Sequence, residues 1–215
     1  MDPDAVEIRV VGCLVEKQRT TPDVYPLSLN SLRLACNQST NREPVVDYDE
    51  QTVVEALRRL ALRGWTRLAS GAGSRARKYR QMLDDAFGLD DAEISLLAVL
   101  MLRGPQTPGE LKQRGQRLHD FAGLAVVQET LERLVERGLV ARHERRPGQK
   151  EDRYEQLLGG RMDEVPDAPP PATGEEDDGG GAEELTPAED RLTRLEREVS
   201  ELRSELAALR RELGG

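Results

Sequence analysis

The chain has 215 residues, of which 37% are hydrophobic and only 3% aromatic, and a formal net charge of −9. That length suits one large domain or two small ones, with cores built mainly from Leu, Val and Ala. The longest apolar run, Leu96 to Leu102, is too short to span a bilayer, and no charged stretch followed by an apolar block opens the chain. A cytoplasmic protein with no membrane association is therefore expected.

The acidity is local. Residues 1–161 carry 25 basic and 24 acidic side chains, whereas residues 162–184 carry nine acidic and none that is basic. The net charge thus says little about what the folded part binds.

In chain order, Asp2-Pro3 is read as opening a first helix, with Pro at a position where no donor is lost. Val6, Val10, Cys13 and Leu14 form its apolar stripe, and Thr20-Thr21-Pro22 ends it. Pro26-Leu27-Ser28 leads into a second helix through Leu29, Leu32 and Cys36, and Ser39 to Val46 is a polar loop. Asp47 with Glu50 three residues on reads as a capping box. The third helix then runs to Gly64 and is expected to bury Val53, Leu57, Leu60 and Ala61. A hairpin from Trp65 to Gln81 follows, turning at Gly71-Ala72-Gly73.

The plan then repeats. Leu57–Gly64 reads LRRLALRG and Leu131–Gly138 reads LERLVERG, 74 residues apart. Asp90 and Glu93 cap a helix whose stripe is Ile94, Leu97, Ala98 and Met101, and Thr107-Pro108-Gly109-Glu110 caps another. Leu124 to Gly138 is the third helix of this half, and Leu139 to Leu157 its hairpin, turning at Pro147-Gly148. A helix ending in Arg-Gly before a two-stranded hairpin is the second half of a winged helix. The fold class expected is mainly α with small β wings (α+β): two tandem winged-helix domains, residues 1–86 and 87–158.

Residues 159–184, rich in Pro, Gly, Asp and Glu, read as an acidic disordered linker. Beyond it, Leu192, Leu195, Val199, Leu202, Leu206, Leu209 and Leu213 recur at alternating spacings of three and four, a heptad seam over 185–213. With Leu192 at position a, Arg191, Glu198 and Glu205 at g face Glu196, Arg203 and Arg210 at e. Every such contact joins opposite charges in a parallel pair, so a parallel homodimer through this coiled coil is expected.

No nucleophile signature, phosphate-cradling glycine loop or HExxH motif occurs, and there are two histidines. No catalytic residue, metal or cofactor is expected. Cys13 and Cys36 lack metal-like spacing and read as buried thiols. The first hairpin carries Arg67, Arg75, Arg77, Lys78 and Arg80 with no acid, a pattern suited to a phosphate backbone. The second carries Arg142, Arg145, Arg146, Lys150 and Arg153, diluted by Glu144, Glu151 and Asp152. Neither third helix has a base-reading tip: one begins Asp47-Tyr48-Asp49-Glu50, the other near Phe121-Ala122-Gly123-Leu124. In the polar loop, Asn37, Gln38, Asn41, Arg42 and Glu43 either bond the loop's own backbone or form a recognition surface.

Residues 12–18 (GCLVEKQ), Thr20-Thr21-Pro22, Tyr25-Pro26-Leu27-Ser28 and the run ACNQSTNREPV resemble the signature of the YceH-like bacterial proteins. Arg103 to Leu111 and Pro147 to Glu151 match its second half, so the similarity covers residues 6–158. The resemblance implies two winged-helix domains in a cytoplasmic protein and carries no activity with it. The function expected is nucleic-acid binding through basic wings, in regulation. The alternative is an adaptor that docks protein partners without binding DNA.

Overall fold

Two long helices cross at the centre of the molecule, and their sequences show why. Helix α1 (Ala5–Thr20) is buried continuously from Glu7 to Val15, and α5 (Asp91–Arg103) from Glu93 to Leu102. A helix apolar on every side must be covered on every side. Arg19 near the end of α1 meets Asp91 at the start of α5 at 2.5 Å. Further along, a Cβ on Gly12 would lie 3.1 Å from Met101 Cβ and 3.2 Å from Leu102 Cδ2. Glycine is what lets the two backbones approach so closely. The computed structural model describes residues 2–69, 77–145 and 151–159. They belong to one compact unit, Met1–Val165. The hairpin turns at Gly71-Ala72-Gly73 and Pro147-Gly148, the segment 160–184 and the heptad segment 185–213 lie outside the described residues.

Around this centre one element order occurs twice. In the first half a 3-10 turn (Pro22–Val24), β1 (Leu27–Ser28), α2 (Leu29–Cys36) and α3 (Glu50–Leu62) follow α1, and then β2 (Thr66–Leu68) and β3 (Lys78–Gln81). The sheet order is β1-β3-β2, antiparallel, with Leu27 opposite Tyr79 and Arg67 opposite Arg80. A short helix, α4 (Leu83–Phe87), leads to α5, α6 (Pro108–Gly115) and α7 (Leu124–Glu136), then β4 (Val140–His143) and β5 (Arg153–Gln156). Gln106 bridges Tyr154 at the place that β1 holds in the first half. The chain is mainly helical with small antiparallel sheets.

The repeat is also electrostatic. Asp4 and Glu7 form a capping box at α1, and Asp90 and Glu93 one at α5. Glu7 is 2% exposed and ion-pairs with Arg59 at 3.1 Å and Arg63 at 3.3 Å. Glu93 likewise receives Arg133 at 3.5 Å and Arg137 at 2.9 Å. The Arg-Gly pair ending each third helix therefore has a structural reason. The arginine reaches back to the buried glutamate, and Gly64 (φ 75°) and Gly138 (φ 68°) take the left-handed backbone that closes the helix.

Three expectations are corrected. Helix α1 is capped by Asp4 rather than opened by Asp2-Pro3, because only Asp4 has a glutamate three residues on to complete the box. Helix α3 is capped by Asp49, which accepts from the Thr52 N–H; Asp47 instead accepts a 3.2 Å bond from Asn37 Nδ2. Ala61 is exposed, and Ala56 takes the buried position beside Val53, Leu57 and Leu60.

Candidate nucleic-acid interface

The first hairpin is anchored by a buried amide. Gln81 is 1% exposed; its Nε2 donates to Gln18 Oε1 on α1 at 2.7 Å, and its Oε1 accepts from the Leu83 N–H at 2.6 Å. Its own backbone N–H donates to the Tyr25 hydroxyl at 2.7 Å. Burial pushes the Tyr25 phenol up to about 12. At the hairpin base Trp65 meets Phe87 edge-on, centroids 5.3 Å apart, and the Met82 N–H bonds the Trp65 carbonyl.

With one face fixed inward, strand alternation turns the cations outward. Arg67 and Arg80 are exposed and directly opposite in register, and Lys78 shares their face two residues before Arg80. Arg77, just before β3, is exposed as well. The sequence from Trp65 to Gln81 has no carboxylate. Like charges placed directly across a strand pair destabilise it. Arg75 lies outside the described residues.

The second hairpin has the opposite electrostatics. Arg142 Nε donates to Asp152 at 2.7 Å, His143 meets Glu155 at 2.8 Å, and Arg153 reaches Glu110 at 3.2 Å. Asp152 also accepts from the Arg145 backbone N–H, and with Arg142 this holds its carboxyl below the usual range. The Arg145 side chain is exposed; Arg146 and Lys150 lie outside the described residues. On α7 the outward side presents Glu129, Glu132 and Glu136.

The polar loop is built mainly as a brace. Arg42 is 4% exposed and spans both carboxylate oxygens of Glu16, at 3.0 and 2.5 Å. Asn37 bonds Asp47 and the Tyr48 backbone on both its amide atoms. Arg9 donates to the Cys36 and Pro44 carbonyls, and the Glu43 N–H to the Leu102 carbonyl at 2.8 Å. Asn41, at φ 60°, accepts from Arg103. Gln38, Thr40 and Asn41 also form one wall of a cleft of about 560 Å³ against α5 and α6. The sequence reading missed this cleft, because its other wall, from Val99 to Leu118, is remote from the polar loop in sequence.

Among the described residues no group of three or more His, Cys, Asp or Glu could hold a metal, and no helix is long and apolar enough to cross a membrane. Cys13 and Cys36 are buried and free. The neighbouring Cys13 thiol and burial hold the Cys36 thiol well above its ordinary range.

Residues 4–149 match the family model described as a protein of unknown function, DUF480. A UPF0502 protein of Geotalea uraniireducens is 52% identical over 171 residues, covering 77% of each chain. One from Geotalea daltonii is 49% identical over 168 residues, again 77% of each. The UPF0502 protein YceH of Salmonella paratyphi B is 48% identical over 181 residues, 80% of this chain and 84% of that one. With the family model spanning well over half of its length, the chain belongs to the DUF480 family.

Proposed function

We propose that this protein is a non-enzymatic nucleic-acid-binding regulator of winged-helix type, and that its first hairpin lies along a phosphate backbone. The observation that carries this reading is the outward face of that hairpin. Arg67 stands opposite Arg80 with Lys78 beside them, and the hairpin from Trp65 to Gln81 contains no carboxylate of its own. Such a face is costly alone and relieved by an anion. The exposed side of α3, with Val54, Glu55 and Arg58, offers little for base edges, so binding is led by backbone contacts. The heptad segment 185–213 makes the protein a parallel dimer in this reading, and paired weak hairpins gain from avidity.

A second reading, a docking adaptor, draws on the second half. Its Arg142 and Arg153 are already paired, and α7 shows an acidic side with Leu124 and Val126 exposed at its tip. This surface suits a basic protein partner.

The deciding experiment is fluorescence anisotropy of the full chain with a labelled random duplex across a salt series. The comparison is a variant with Arg67, Arg77, Lys78 and Arg80 changed to Ala. Four phosphate contacts give a slope of log K on log salt of about −4, and the variant is expected to lose the binding. Absence of binding at low salt, or a variant that binds as well as the parent, overturns the nucleic-acid reading and favours the adaptor.

A further inference from the structure

The cleft between the two halves concentrates positive charge that the fold leaves uncompensated. One wall is the end of α1 with the polar loop; the other is the end of α5 with α6 and the turn after it. Lys17, Arg103, Arg114 and Arg117 line it, and among the described residues Glu16 is its one carboxylate. Both Glu16 oxygens are engaged by the buried Arg42, with Lys17 no nearer than 3.8 Å. Arg114 has a loose 3.6 Å contact to Glu110, which also serves Arg153. Among the described residues Arg117 has no ion-pair or hydrogen-bond partner. Arg103 is held in place through Asn41. Burial first, and then the positive charges of Arg114 and Arg42, lower the Arg103 pKa, as expected where cations crowd in a partly desolvated place.

We infer that this cleft binds a small organic phosphate, held between the two halves by Lys17, Arg103, Arg114 and Arg117. Guanidinium forks match phosphate oxygens in geometry as well as charge. The volume of about 560 Å³ is that of a small-ligand site. Gln38, Thr40 and Gln113 supply donors and acceptors for hydroxyl groups, and Val99, Leu102 and Leu118 supply an apolar wall. Among the described residues no aromatic ring lines the cleft to stack a base, and an aliphatic or sugar phosphate fits better than a nucleotide. This inference is independent of the first hairpin and stands or falls separately from the nucleic-acid reading.

The test is calorimetric titration of the full chain with pyrophosphate and with inorganic phosphate at constant ionic strength, using sodium chloride as the control. A melting curve is recorded for each mixture. The expected result is saturable pyrophosphate binding, tighter than phosphate, with a raised melting temperature because the anion binds only the folded cleft. Changing Arg114 and Arg117 together to Gln should raise the pyrophosphate Kd at least tenfold and leave the anion-free melting temperature within a few degrees. An Arg67→Ala, Arg80→Ala variant should keep the binding. No saturable binding, or equal affinity in the Arg114→Gln, Arg117→Gln variant, overturns the assignment. So does loss of binding in the hairpin variant alone, which would move the anion site to the hairpin.

Discussion

Arg42 has five N–H donors, and five acceptors meet them: two oxygens of Glu16, the Ala35 and Asn41 carbonyls, and Gln38 Oε1. A side chain so fully used is a brace, and its presence in a polar loop is a poor guide to recognition. Sequence alone left both readings of that loop open, because nothing local reveals that Glu16, twenty-six positions earlier, is the partner. Tyr25 is a second brace, and it can be followed by pH. Its phenol is raised to about 12 by burial, against about 10 for an unfolded tyrosine. A raised folded value favours the neutral form, so the contribution to stability is complete below about pH 10 and is lost as pH rises through about 12. Urea midpoints measured from pH 8 to 11 should fall above about pH 10, and less steeply in Tyr25→Phe. That variant should start about 1–2 kcal/mol less stable at neutral pH, since the Gln81 N–H loses its acceptor. An identical pH profile in parent and variant would refute the assignment.

At the scale of elements, the repeated helices and hairpins were legible because periodicity and capping are local signals. Leu29–Cys36, Pro108–Gly115 and Leu124–Glu136 begin where the sequence places them. The misplaced cap of α3 has a non-local cause, whereas that of α1 was open to view in the Asp4 to Glu7 spacing. Asp47 and Asp49 are equally good caps on paper, but Asn37 ties Asp47 and Tyr48 into the loop and leaves Asp49 to start α3. The Arg-Gly repeat was visible, yet its purpose was hidden because the glutamates it serves lie at the far end of another helix. Those glutamates carry a prediction. Glu93→Ala removes the reciprocal half of a capping box and leaves Arg133 and Arg137 without their shared buried partner. The expected cost is about 2–4 kcal/mol by urea denaturation, against about 1 kcal/mol for Glu129→Ala on the exposed side of α7. Equal effects of the two changes would show that the buried cluster is no more than a surface ion pair.

For the molecule as a whole, the consequential contact is the one between α1 and α5. The apolar stripes read in the sequence were too narrow for both helices: Val11, Val15, Leu96, Val99 and Leu100 are also buried, because each helix is covered by the other as well as by its own half. A repeat in sequence announces two similar units, but it is silent on whether they share a core. The same geometry creates the cleft, whose walls belong to different halves and whose charges are scattered through the sequence from Lys17 to Arg117. It also makes Gly12 a sensitive position. A methyl group there would press on Met101 Cβ at 3.1 Å, a backbone-adjacent atom that cannot swing aside. Gly12→Ala should therefore cost about 1–3 kcal/mol through overpacking, although alanine is the better helix former. If the halves are held by this shared core, calorimetry of residues 1–159 should show a single transition that Gly12→Ala moves as one. Two separate transitions, with only one displaced by the substitution, would mean that α1 and α5 lie in contact without sharing stability.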